Sequence, residues 1–161
     1  MESRENKFGV TDSLKNVIIP FIYDFIEFKR KTAWDFYKKN QHQKAIDYIL
    51  KEIVDNKWAQ AKDYSALGDI YIETKQFVKA KESYFKATQL DNNQLWYQLK
   101  YANALVFNED ISEAKGIHKK YKSNNIDVKT SWIQQTKFDI DFYKSKGLNV
   151  DDFKKILRIL D

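Results

Sequence analysis

The chain has 161 residues, 43% hydrophobic and 16% aromatic, which is enough apolar payload for one domain with a sizeable core. Four glycines and a single proline argue for mostly helix with short connections, and the lack of cysteine excludes disulfides and thiolate metal sites, as suits a reducing compartment such as the cytoplasm. The 28 basic and 23 acidic residues are interspersed: residues 1–60 carry about +2, the middle of the chain about 0 and the rest about +3, so no basic block marks a nucleic-acid binder.

Met1–Gly9 is charged and no small-residue cleavage site follows, so no secretory signal is expected, and residues 1–12 read as a flexible lead-in. The apolar run Val17–Phe28 contains Asp24 and Glu27 and falls short of the roughly 20 apolar residues needed to span a bilayer. It is expected to form a buried or partner-covered helix. Pro20 suits a first helical turn, which places the start near Ile19 or Pro20; one kinked helix from Asp12, capped by Thr11, Asp12 or Ser13, is the alternative. Apolar residues continue at helical spacing to Lys39, Gln41–Gln43 makes a turn, and Ala45, Ile46, Ile49, Leu50 and Ile53 form a second stripe.

Between Tyr64 and Asn92 the pattern sharpens. Large side chains at Tyr64, Leu67, Tyr71 and Tyr84 alternate with small ones at Gly68, Ala80 and Ala87, across a break at Thr74–Gln76. Small residues facing large ones let two helices approach closely. This spacing resembles the tetratricopeptide repeat, a 34-residue helix–turn–helix unit of pattern W-x2-L-G-x2-Y…A-x3-F, with Tyr64 in place of Trp and Asn92 in place of the usual Pro. Ala45, Ala80 and Ala114 recur in phase, so repeats are expected near 26–59, 61–94 and 95–128. In the first, Ala33, Phe36, Ala45 and Ile49 match, whereas Lys29 and Thr32 occupy apolar positions; in the third, Gln98 and His118 depart from the pattern. A helix from about Lys129 to Lys146, stopped by Gly147, and a last one capped by Asn149 or Asp151 would close the stack. The expected fold is therefore all-α, a tetratricopeptide-like α-solenoid of about eight antiparallel helices without β-sheet, in a single domain over residues 13–161 with capping helices at 129–161.

Little in the chain suggests chemistry. His42, in the expected turn, and His118 have no second His or any Cys at ligand spacing. Carboxylate pairs such as Asp139/Asp141 are expected at helix starts or facing solvent, and no phosphate loop or nucleophile elbow occurs. The chain is not expected to be an enzyme or to need a metal or cofactor. The resemblance implies instead a concave groove lined by the first helix of each repeat. Its positions fall on Arg30, Trp34, Tyr37 and Lys38, then on Asp69 and Ile72, then on Trp96, Leu99, Asn103 and Phe107. An aromatic groove of this kind would suit an amphipathic helix or an extended peptide. The expected function is a protein–protein interaction module binding a partner polypeptide through this groove or the apolar N-terminal helix, with a secretion-type chaperone as one form. An immunity or adaptor protein masking one folded partner is an alternative; an RNA-binding helical-repeat protein is another, against which the mixed charge argues. No membrane span is expected, and a homodimer through the N-terminal helix is a further expectation.

Overall fold

The computed structural model describes residues 18–161, with side chains from residue 22 onward, so the lead-in and the capping residues Thr11–Ser13 lie outside the described residues. Among the described residues the regular structure is helical: α1 (Ile18–Lys38), α2 (His42–Ile49), α3 (Ala61–Glu73), α4 (Phe77–Leu90), α5 (Leu95–Phe107), α6 (Ile111–Tyr121), α7 (Trp132–Ser145) and α8 (Phe153–Leu160). No strand forms among them, and only an isolated bridge joins Asn125 to Ser131. No described helix is long and apolar enough to cross a membrane. Contacts cluster into two units, Met1–Ala59 and Gln60–Asp161.

In the first unit α1 packs on α2, which runs on through a π turn at Leu50–Val54. Ala33, Ala45, Ile46, Ile49 and Ile53 are buried, and Phe25 meets Trp58 edge to face at 5.5 Å. Lys29 fills its apolar position by lying over the Phe25 ring while its ammonium pairs with Glu52 at 2.7 Å. The long stem of lysine covers apolar surface and its head stays paired. His42 opens α2 rather than sitting in the turn, because the chain reverses one residue earlier, through Asn40 at φ 56°.

In the second unit neighbours in sequence pack on each other: α3 on α4, α4 on α5, α5 on α6. In addition α3 touches α5, α5 touches α7, and α6 packs on α8. The motif residues Leu67, Gly68, Tyr71, Ala80, Tyr84 and Ala87 are all buried. Gly68 is the close contact: a Cβ there would lie 2.5 Å from the Tyr84 ring.

The helix ends share one device. Residues with left-handed φ at Asn40, Lys75, Glu109 and Gly147 follow α1, α3, α5 and α7, at intervals of 35, 34 and 38 residues. After each, the next amide donates to the carbonyl five residues earlier: Gln41 to Phe36, Gln76 to Tyr71, Asp110 to Leu105 and Leu148 to Tyr143. This is the Schellman arrangement, which satisfies a helix's last carbonyls. The helix expected from Lys129 starts instead at Trp132. Asp127 Oδ1 accepts the amides of Lys129 and Thr130, drawing them into a tight loop, and Ser131 then caps the helix in a reciprocal box with Gln134. Before α8, Asn149 accepts the Asp151 amide, and the N-cap position falls to Asp152.

Candidate binding face

The expected groove residues of the first unit come together on α1. Trp34 is 52% exposed and stacks on Tyr37 at 4.8 Å; Tyr37 in turn stacks on His42 at 5.5 Å. Lys38 Nζ sits 5.7 Å over the Trp34 ring, and half-buried Arg30 pairs with Glu27 at 2.7 Å. The i, i+3 and i+4 spacing puts Arg30, Trp34, Tyr37 and Lys38 on adjoining turns of one helix. The result is an exposed aromatic pad with cations on it.

In the second unit the expected residues separate. Ile72 and Leu99 are buried and serve packing. Phe107 is half-buried, stacked on Phe77 at 4.8 Å and set edge-on to Tyr143 and Phe153, where it floors a cleft of about 360 Å³ with Val106 and Leu148. Asp69, Trp96 and Asn103 instead join a polar cluster that spans α3, α5 and α7.

That cluster is built from the inside outward. Asn103 is fully buried and its Nδ2 donates to Asp139 Oδ2 at 2.8 Å, while Gln135 Nε2 donates to Asp139 Oδ1 at 2.8 Å. Asp139 was expected at a helix start or facing solvent; it is 3% exposed in the middle of α7. Both of its oxygens are satisfied, which is what a buried carboxylate requires. On the other side, Lys100 Nζ lies 3.2 Å from Asp69 Oδ1, and the Tyr84 hydroxyl donates to the same oxygen at 2.7 Å. Lys100 also lies 5.0 Å above the Trp96 ring. Asn103 Oδ1 and the Tyr143 hydroxyl are buried and find no hydrogen-bond partner among the described residues. At the far end Lys146 pairs with Glu73 at 3.0 Å, tying the C-terminal end of α7 to that of α3.

Burial works against the Lys100 charge, but Asp69, Tyr143 and Asp139 outweigh it and hold the ammonium above the ordinary lysine range. Burial pushes the Asp139 carboxyl up, with Lys100 pulling it back only in part. The Tyr84 and Tyr143 phenols are raised, chiefly by burial. Asp69, with 45% of its side chain exposed, brings the cluster to water beside half-buried Trp96. Comparison with family models, with curated proteins and with solved structures returned no match.

Sequence reasoning missed Lys100, Asp139, Tyr84 and Tyr143 as partners. One signal was available: Asp69 and Asn103 are one repeat length apart, and Asp139 follows Asn103 by 36 residues. A polar residue that returns with the repeat period marks a shared wall as well as a small residue does. His118 is also buried; its Nδ1 accepts from Trp132 Nε1 at 3.0 Å, which explains its departure from the repeat pattern.

Proposed function

We propose that the chain is a non-enzymatic polypeptide-binding module of tetratricopeptide-like architecture, working in the cytoplasm without a cofactor. The observation that carries this reading is the recurrence of one joint. The connections 39–41, 74–76 and 108–110 are each three residues long and each ends in the same left-handed turn. The α3–α5 and α5–α7 contacts, with Asp69, Asn103 and Asp139 along them, agree with first helices stacked side by side in a solenoid of antiparallel pairs. In such a stack the first helices carry the binding wall. Each unit then offers its own surface: the Trp34–Tyr37–Lys38 pad on one, Asp69 and Trp96 on the other. Exposed aromatics flanked by charge are the residue types that dominate binding energy.

The test begins with a partner captured from the native host and then purified, its affinity measured by calorimetry. Trp34→Ala should weaken binding at least about tenfold, a hot-spot loss of more than 1 kcal/mol, while the melting temperature holds. Unchanged affinity for both Trp34→Ala and Trp96→Ala would remove the reading. Hydrogen exchange on the partner separates its forms: a chaperone protects an extended segment, whereas an immunity or adaptor protein covers a folded surface. A second reading, self-association through α1, is favoured by the exposure of Ile22, Tyr23 and Phe28 on that helix.

A further inference from the structure

We propose that the outer faces of α6 and α8 together bind the phosphodiester backbone of a nucleic acid. On α6, Lys115 and Lys119, with Lys122 at its C-cap, recur at i, i+4 and i+7 and so share one face. On α8, Lys154, Lys155 and Arg158 are exposed opposite the buried Phe153, Ile156 and Leu160. The two helices pack on each other, and Lys122 Nζ donates to the Ile159 carbonyl at 3.3 Å. That contact brings the α6 row to the end of α8, next to Arg158. Asp151 and Asp152 pair with Lys154 and Lys155 at 2.9 and 2.7 Å, and Asp161 lies 3.6 Å from Lys137. Lys115, Lys119, Lys122 and Arg158 have no carboxylate partner among the described residues. The sequence hides this concentration of charge, because some thirty residues separate α6 from α8 and acids lie between.

The class of ligand follows from what the face lacks. None of the exposed large apolar side chains lies on α6 or α8. Protein interfaces are typically centred on aromatic or Arg anchors in packed pockets, and stable seating on a membrane draws on apolar side chains as well as charge. A cationic face without either matches a phosphate backbone, whose recognition is electrostatic and independent of sequence. The site uses helices that carry none of the groove residues, so its failure leaves the polypeptide-binding reading untouched, and the reverse holds.

The test is fluorescence anisotropy of the full chain with labelled oligo(U) and oligo(dT), in salt from about 50 to 200 mM. The wild-type chain should bind both, with affinity falling steeply as salt rises. Lys119→Glu/Lys122→Glu/Arg158→Glu should bind at least about tenfold more weakly, with a log–log salt slope shallower by about 2, from three contacts at about 0.7 each. A charge-matched variant of the first unit, Lys31→Glu/Lys39→Glu/Lys44→Glu, should keep the wild-type affinity. Circular dichroism checks that both variants are folded, and glutamine versions replace either one that is not. No salt-dependent binding, or equal loss in both variants, overturns the proposal. So does competition by polyglutamate or by phosphatidylserine vesicles as strong as that by oligo(U), which would assign the face to an acidic polypeptide or a membrane.

Discussion

Gly68 and Tyr84 show how one residue's absence of side chain sets the spacing of two helices. An added methyl would meet the Tyr84 ring at 2.5–2.7 Å. The ring cannot swing aside freely, since it is 1% exposed and its hydroxyl is bonded to Asp69. In an exposed helix Gly→Ala would gain about 1 kcal/mol of propensity. Here overpacking, at about 1–3 kcal/mol, wins. Gly68→Ala is therefore expected to lower stability in urea denaturation; a gain would mean that the two helices part without cost. His118 makes the other prediction at this scale. Burial pushes its imidazole down to about 4 from 6.5, and Trp132 occupies the nitrogen that would take the proton. Between those two values the unfolded chain binds a proton that the folded chain refuses, so stability falls as the pH drops through that window. The shift corresponds to about 3 kcal/mol at most. Denaturation curves at pH 7 and pH 4.5 should differ accordingly, and His118→Gln should remove most of the difference. The sequence marked His118 as a departure from the pattern, but its partner, Trp132, lies beyond the last repeat, where no periodicity points to it.

At the scale of helices and turns, the positions of small and large residues carried most of the information. Ala45, Ala80 and Ala114 keep phase because each is fully buried where a larger side chain would push helices apart. The first turn of α7 was not legible, since it is decided by Asp127 accepting two amides, a loop contact that periodicity does not register. The polar cluster was only half legible: Asp69 and Asn103 followed from their place in the repeat, whereas Lys100 and Asp139 depend on which side chains meet across helices. The left-handed turns yield a prediction of their own. Gly147 has φ 70° and open space around its missing Cβ, so the cost of Gly147→Ala is a backbone cost alone. It should amount to about 1 kcal/mol, the penalty of an L-residue in that region. Thermal melts of Gly147→Ala and Gly147→Asn check it, with Asn expected to lose less because it tolerates that conformation. An equal loss for both would place the cost elsewhere.

For the whole molecule, the all-helical class was legible from composition and spacing, because scarce glycine and proline leave few places for anything but short joints. The partner was not, since surfaces that bind carry no periodic mark. Ile22, Tyr23 and Phe28 stand 40%, 57% and 61% exposed on α1. Apolar side chains left in water on one helix mark an interaction surface, and under the self-association reading proposed above a second copy covers them. Sedimentation equilibrium should show a mass that rises with concentration toward twice 19.2 kDa. A constant monomer mass would end that reading, and Phe28→Glu should suppress the rise if it occurs. The three-residue joints after α1, α3 and α5 have one last consequence. Because Lys75 and Glu109 stand in the same place in their joints, excising residues 76–109 would set Asp110 where Gln76 stood and leave an intact connection. The chain can thus be shortened or lengthened by a full period with its seams preserved, whereas losing three or four residues within a period would misalign every seam downstream: its length is quantised.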